Sequence, residues 1–238
     1  VSKTINRLKE KPRMVLAFAS HIPQDWHDAI ANAPHVRRWI EGVEREFEVS
    51  SLTIRDAVKF GSRIGFVFAE AQVHHEGVPV PRYAFLRGDS VGILVVLRHP
   101  DHPPRTVLTC EPRLPVATAE SLSLPAGMVD DGTVQSTALR EFAEETGITL
   151  ALEAQDLISL GTVTLSPGGC DEHLTLYALE IDLEPSELGS LDNRATGLES
   201  EHEHIRLRVL PLDAIPTLPQ QDAKLLLAFH LYGARTRS

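Results

Sequence analysis

Three glutamates carry the chemistry of this chain: Glu141, Glu144 and Glu145, in the run Arg140-Glu141-Phe142-Ala143-Glu144-Glu145-Thr146-Gly147-Ile148. On a helix, positions i, i+3 and i+4 share one side, so this spacing gathers three carboxylates. Anions this close repel one another unless something cationic lies between them. Arg140, four residues before Glu144, can hold one of them. A hard divalent cation is the other candidate, because oxygen-only ligands suit Mg²⁺ or Mn²⁺. The plain alternative is a solvated acidic helix face, which is what most glutamate runs are. The helix itself is predicted over Val134 to Thr146, with Thr133 as N-cap and Gly147 as the stop.

The flanks add to the run. Gly127, then a loop, then REFAEETGI resembles the Nudix box, G-x5-E-x7-R-E-U-x-E-E-x-G-U, where U is a bulky aliphatic residue. Hydrolases of that family cleave a nucleoside diphosphate linked to another group. The chain departs from the pattern twice. Thr133 stands where the first Glu of the box is usual, and six residues, not seven, separate it from Arg140. The missing residue precedes the helical phase of the three glutamates, so their mutual geometry is expected to survive. Thr is a poor ligand for a hard cation, which leaves open the number of metals held and a weakened enzyme.

Composition narrows the function classes. A chain of 238 residues with 42% hydrophobic content is long enough to bury a core and reads as soluble and globular. A net charge of −10 speaks against a nucleic-acid binder, which needs a basic face. An anionic substrate must then be drawn in by local arginines and metal. No apolar run approaches the roughly 20 residues of a membrane span. The start VSKTINRLKEKPR has no signal-peptide apolar stretch, and a cytoplasmic setting is expected, with a trimmed transit peptide the open alternative. Cys110 and Cys170 are the only cysteines, so no disulfide framework is implied.

The elements that must position the glutamates follow in order. Val1 to about Gln24 shows no clear periodicity. Asp25 to Phe47 reads as two helical pieces broken at Pro34, the second with Val36, Trp39, Ile40, Val43 and Phe47 as a buried stripe. Leu52, Ile54 and Ala57 alternate loosely, and Ile64, Phe66 and Phe68 cleanly, as strands do. His74-His75-Glu76-Gly77 reads as a hairpin turn with surface histidines. Val91 to Leu97 is a buried strand, and the domain boundary is placed near Gly88. Arg98 to Arg105 reads as a hairpin loop, Thr106 to Leu114 as a strand. Leu157 to Leu165 and His173 to Asp182 read as strands around the loop Ser166 to Glu172. Glu184 to Glu201 reads as polar and irregular. Ile205, Leu207 and Val209 mark a last strand, and Asp222 to Ala234 a closing helix.

The likeness extends beyond the box. FLRGDSVGILVVL, the turn Glu111-Pro112-Arg113, LPAGMVDD, SPGGCDE and ATGLESEHEHIRLRVLP, in that order, resemble the ADP-sugar diphosphatase branch, above all the plant type related to ADP-ribose pyrophosphatases. The resemblance covers roughly Asp25 to Gly233, and weakly at the N-terminal side. It implies the α/β Nudix fold, a mixed sheet sandwiched between helices, with a β-rich N-terminal extension over residues 1–88 and the hydrolase domain over 89–238. It implies Mg²⁺ or Mn²⁺ held by Glu141 and Glu145, with Glu144 sharing or bridging and the Ala126 carbonyl adding a ligand. It makes Glu172 the base that activates the attacking water, with Glu144 the other catalytic candidate. Arg87 and Arg113 align with arginines that contact phosphate, and a guanidinium fork suits that geometry. Each could instead be in a surface ion pair. The implied substrate is a nucleoside diphosphate sugar, with no nucleic acid or membrane partner. The implied assembly is a homodimer paired through the extension. A nucleophilic role for Cys170 is disfavoured, since no histidine partner is indicated, and His202 and His204 read as a solvated rim. A catalytically weak nucleotide-sugar sensor, and a Nudix hydrolase of other nucleoside diphosphate derivatives, are the alternative readings.

Overall fold

Proline has no N–H to give to a helix interior, but is tolerated in a helix's first turn. Pro34 does this: one helix ends at Asn32 and the next begins at Pro34. These and the following features are those of a computed structural model that describes residues 15–129, 132–182, 185–198, 204–219 and 222–236. The chain divides into two compact units.

The first unit takes in the described residues up to Gly88 and the loop Ser166–Asp171. Its elements are β1 (Leu16–Phe18), α1 (His27–Asn32), α2 (Pro34–Glu46), β2 (Glu48–Phe60), β3 (Arg63–His75), β4 (Val78–Pro79) and β5 (Tyr83–Leu86). β1 runs parallel to β2, β2 antiparallel to β3, and β4 and β5 both pair with β3. β1 was not legible in the sequence; its pairing, Leu16 with Leu52 and Phe18 with Ile54, is made by residues far along the chain. The loose alternation of β2 has a cause, since the register shifts between Ile54 and Asp56 and carries Ala57 out of phase. Glu76 and Gly77 both have positive φ, 51° and 74°, and close the β3–β4 turn.

On β3 the buried apolar side chains are Val67, Ala69, Ala71 and Val73, packed with Ile30, Val36 and Val43 of the helices, and Glu70, of the other phase, is buried as well and paired with Arg55 and Arg82. Of the alternating Ile64, Phe66 and Phe68, the two phenylalanines occupy the other phase, whereas Ile64, beyond a register shift at Gly65, packs against the helix-side core. Phe68 is exposed, as are its β5 neighbours Tyr83 and Phe85. The aromatic side chains therefore mark the open face of this sheet, and alanines and valines its core face. Small residues suit that position because α1 and α2 lie against it.

The second unit is built on a mixed sheet. Its elements are β6 (Ser90–His99), β7 (His102–Arg113), β8 (Thr118–Ser123), β9 (Ala126–Met128), α3 (Val134–Thr146), β10 (Ile158–Thr164), β11 (His173–Asp182), α4 (Pro185–Leu191), β12 (Ala195–Thr196), β13 (Ile205–Pro211) and α5 (Ala223–Arg235). Among the described residues the strand order is β10-β11-β6-β7-β13-β12, with β8 on β7 and β9 on β6. β6 and β11 are parallel. Every residue of β6 from Ser90 to Leu97 is buried, the mark of a strand covered on both faces. Val91, Ile93 and Val95 pack with Ala138 and Phe142 of α3 and Leu191 of α4. Leu94 and Val96 pack with Leu225 and Ala228 of α5. The sheet is thus sandwiched between helices, as the sequence implied.

Two boundaries differ from expectation. β6 and β7 continue to His99 and from His102, so most of the segment read as a loop over 98–105 is strand. The polar stretch after Glu184 contains α4, whose Leu188 and Leu191 join the α3 side of the core. Two leucines in a short polar segment give too little periodicity to mark a helix.

Candidate active site

The helix that carries the glutamates is set by its own ends. Thr133 lies outside it, and its hydroxyl accepts the N–H of Ser136 at 3.1 Å while the Ser136 hydroxyl accepts the N–H of Thr133 at 3.0 Å. This reciprocal cap satisfies two backbone donors that the first turn leaves over. Gly147, at φ +63°, closes the other end, and its N–H reaches the carbonyl of Ala143. Phe142, 1% exposed, anchors the inner face. The side chain of Thr133, at the place of a usual carboxylate, therefore serves the helix. Thr133→Ala is expected to lower stability by about 1 kcal/mol, read by urea unfolding, with little change in turnover. A changed metal requirement at unchanged stability would contradict this.

The anchor fixes where the glutamates go. Glu141 and Glu145 are largely buried, 9% and 3% exposed, and Glu144 is partly so. Glu145 accepts the backbone N–H of Ala126 at 2.9 Å. Glu141 lies across the next residue: a Cβ on Gly127 would overlap its carboxyl group. Only glycine leaves room for that crossing, which gives the box glycine a steric reason. Arg140 donates to Glu141 and to Glu144, each at 2.7 Å. Burial disfavours the Arg140 charge, but the two carboxylates outweigh it and raise its pKa.

The donor set is chemically suited to a hard divalent cation. Two buried carboxylates and a third beside them offer only oxygen, on one helix face, against a strand kept clear by Gly127. Among the described residues, no group of three His, Cys, Asp or Glu side chains is already drawn together as a ligand set. Glu141 and Glu144 are turned to Arg140, and Glu145 holds the N–H of Ala126. The histidines His74 and His75 join no such group. His202 lies outside the described residues; His204 is exposed.

Glu172 is also in this unit and 7% exposed. Its Oε1 accepts the hydroxyl of Ser90 at 2.6 Å. The parallel register, Leu174 beside Ser90, brings the two together from 82 residues apart. The next residues pair as well, with His173 Nδ1 at 3.5 Å from Asp89 Oδ1. Sequence reading missed Ser90, since no local signal marks a contact made by strand register. Arg113 pairs with Glu111 at 2.5 Å and is half-exposed. A concavity of about 610 Å³ lined by Cys110, Thr118, Glu120, Leu122 and Arg208 contains none of the residues singled out above apart from Cys110.

The rest of the expected site belongs to the first unit. Its loop Ser166–Asp171 turns back through the N–H of Cys170 to the Ser166 carbonyl, 2.9 Å. The Phe85 N–H reaches the Gly169 carbonyl at 2.8 Å, and the Asp171 N–H the Phe85 carbonyl at 3.3 Å. The Asp171 carboxylate accepts the backbone N–H groups of Arg87, 2.8 Å, and Gly88, 3.2 Å. Arg38 lies 3.8 Å from its other oxygen. Asp171 therefore organises the turn carrying Arg87, a role not read from the sequence. The Arg87 guanidinium lies 5.9 Å over the Phe66 ring. Burial pulls the pKa of nearby His35 down, Asp171 opposes this, and Arg38 and Arg63 add to it. On the open face, Phe68 and Tyr83 stack at 5.6 Å, and Phe66 meets Phe85 at 5.0 Å.

A family model described as the NUDIX domain matches residues 86–229. The chain is 32% identical over 257 residues to Nudix hydrolase 14, chloroplastic, of Arabidopsis thaliana, taking in 99% of this chain and 81% of that protein. It is 31% identical over 96 residues to the ADP-ribose pyrophosphatase of Saccharomyces cerevisiae, 40% of each chain. Among solved structures, an ADP compounds hydrolase aligns with a TM-score of 0.57 at 17% identity, covering 81% of this chain and 95% of that one. At that identity the likeness speaks for the fold.

Proposed function

The chain belongs to the NUDIX family of hydrolases, and from that premise we propose that it cleaves the diphosphate bond of ADP-sugars, ADP-ribose and ADP-glucose among them, giving AMP and a sugar phosphate. One observation carries this reading: the buried carboxylates of Glu141 and Glu145 both fold back onto Ala126 and Gly127. The name of the yeast relative, an ADP-ribose pyrophosphatase, supports the substrate class.

Nudix hydrolases generally use divalent cations. Here Glu141, Glu145 and Glu144 would hold Mg²⁺ or Mn²⁺, with the Ala126 carbonyl. When bound, the metal supplies charge to neutralise the diphosphate oxygens and lowers the pKa of water. The chain's own groups do the rest. Arg140 keeps the glutamate side chains apart and oriented. Arg87 and Arg113 hold phosphate oxygens through their guanidinium forks, Arg113 after leaving Glu111. Glu172 takes the proton from the attacking water, and Glu144 is the second candidate for that step.

A substrate panel with Mg²⁺ tests the reading. We expect kcat/KM for ADP-ribose and ADP-glucose to exceed that for UDP-glucose and for capped RNA. Equal turnover of UDP-glucose would contradict the ADP assignment. Cys110 and Cys170 are not joined in a disulfide, which is in keeping with a reducing compartment, and a cytoplasmic setting is proposed; the Arabidopsis relative is named chloroplastic. No helix among the described residues is long and apolar enough to cross a membrane.

The first unit is assigned to substrate contacts and to pairing of two copies. The support is its open aromatic face, with Phe68 40% and Tyr83 51% exposed. Stacking of a base on an aromatic ring contributes about 1–3 kcal/mol. Alanine at Phe66, Phe68, Tyr83 or Phe85 is therefore expected to raise KM for an ADP-sugar about 5- to 100-fold at one of these positions. Unchanged KM for all four folded variants would contradict stacking here. Sedimentation at micromolar concentration is expected to show a dimer, and a fully active monomer would contradict the pairing.

A further inference from the structure

Resting on the reading of Glu172 as the base, we propose that Ser90 is a positioning residue that holds the Glu172 carboxylate in the orientation from which it takes the proton. Both side chains are buried, 6% and 7% exposed, in the second unit. The Ser90 hydroxyl donates to Glu172 Oε1 at 2.6 Å, within the range of an O–H donor to a charged oxygen.

Ser90 is well placed to hold something still. It opens β6, and its backbone lies between two strands, opposite Met128 of β9 and Leu174 of β11. Glu172, in contrast, precedes the first residue of β11 and has three side-chain torsions to fix. A buried carboxylate needs donors, and each that is lost leaves an oxygen poorly solvated. A donor fixed to the sheet restrains the whole side chain by engaging one oxygen. Serine does this with the smallest side chain that has a hydroxyl, at a position closed by sheet on both sides.

This separates two roles that a loss of activity alone would confuse. A residue that acts only through Glu172 matters only while Glu172 is a base. In wild type, Ser90→Ala is expected to lower kcat about 10- to 100-fold, the factor that one hydrogen bond to a charged group is worth. KM and the Mg²⁺ concentration for half-maximal rate stay unchanged. In the Glu172→Gln background the same substitution is expected to change kcat by less than about threefold, because interacting sites are non-additive. Ser90→Thr keeps the hydroxyl and restores kcat to within about fivefold of wild type. Far-ultraviolet circular dichroism and thermal melting on each variant confirm the fold.

A loss of equal size in both backgrounds, with the fold intact, would overturn the proposal, as would a wild-type-like kcat for Ser90→Ala. The reading beneath it fails separately: if Glu172→Gln alone costs less than tenfold, Glu172 is not the base and the role of Ser90 falls with it. If Glu172→Gln is crippling and Ser90→Ala is silent, only the role of Ser90 falls.

Discussion

Glu172→Gln is expected to lower kcat about 10²–10⁴-fold, the usual range for loss of a general base, with little change in KM. The amide keeps the size of the carboxylate and can still accept the Ser90 hydroxyl, which in the native protein lies 2.6 Å from Oε1. It cannot take a proton. The Ser90 contact is therefore kept while, on the proposed role of Glu172, the proton acceptor is removed, and the cost falls on kcat. Added Mg²⁺ does not restore the rate, and raising the pH restores a little by supplying hydroxide. Steady-state kinetics over a range of Mg²⁺ and pH reads all of this. Rescue by metal would instead make Glu172 a metal ligand. A cost below tenfold would move the base, with Asp171 and Glu144 the next candidates. Asp171 is the poorer of these, since its carboxylate already accepts the N–H groups of Arg87 and Gly88.

The second large effect has the opposite response to metal. Glu141→Gln and Glu145→Gln each remove a charge from the buried side of α3. Loss of an outer partner of a metal site costs about 10–100-fold in affinity, and loss of a direct ligand costs more. Each variant is therefore expected to shift the Mg²⁺ dependence by at least about 100-fold, with activity partly recovered at high Mg²⁺. The two also differ. Glu145→Gln can still accept the Ala126 N–H through its amide oxygen, but the 2.9 Å bond loses its charged acceptor, so it is expected to lose some stability as well. Glu141→Gln weakens its tie to Arg140 and leaves Gly127 as it was. Metal titrations followed by activity and by thermal shift separate these effects. A variant that is inactive at every Mg²⁺ concentration while still folded would contradict a metal-holding role.

The parts of this architecture set by local chemistry were legible in the sequence. Thr133 and Gly147 bound α3, and Pro34 divides α1 from α2, because caps and breakers act within a turn of where they stand. The continuous apolar run of β6 announced a strand covered on both faces. What depends on register was not legible. Ser90 meets Glu172 across 82 residues through the parallel β6–β11 pairing, and β1 finds β2 in the same non-local way. The buried phase of β3 was masked by its own composition, since alanines face the helices and phenylalanines face outward. The glutamate spacing gave the shared helix face, but not that Glu145 would hold a backbone N–H or that Arg140 would bridge two carboxylates.

The central claim is hydrolysis of an ADP-sugar at its diphosphate bond by metal-assisted chemistry. Its most direct test is to incubate the purified chain with ADP-ribose and Mg²⁺, with and without a chelator, and identify the products by ion-exchange chromatography. The account predicts AMP and ribose 5-phosphate in equal amounts, and none of either with the chelator present. Release of ADP and free ribose, or product formation that the chelator does not affect, would contradict it.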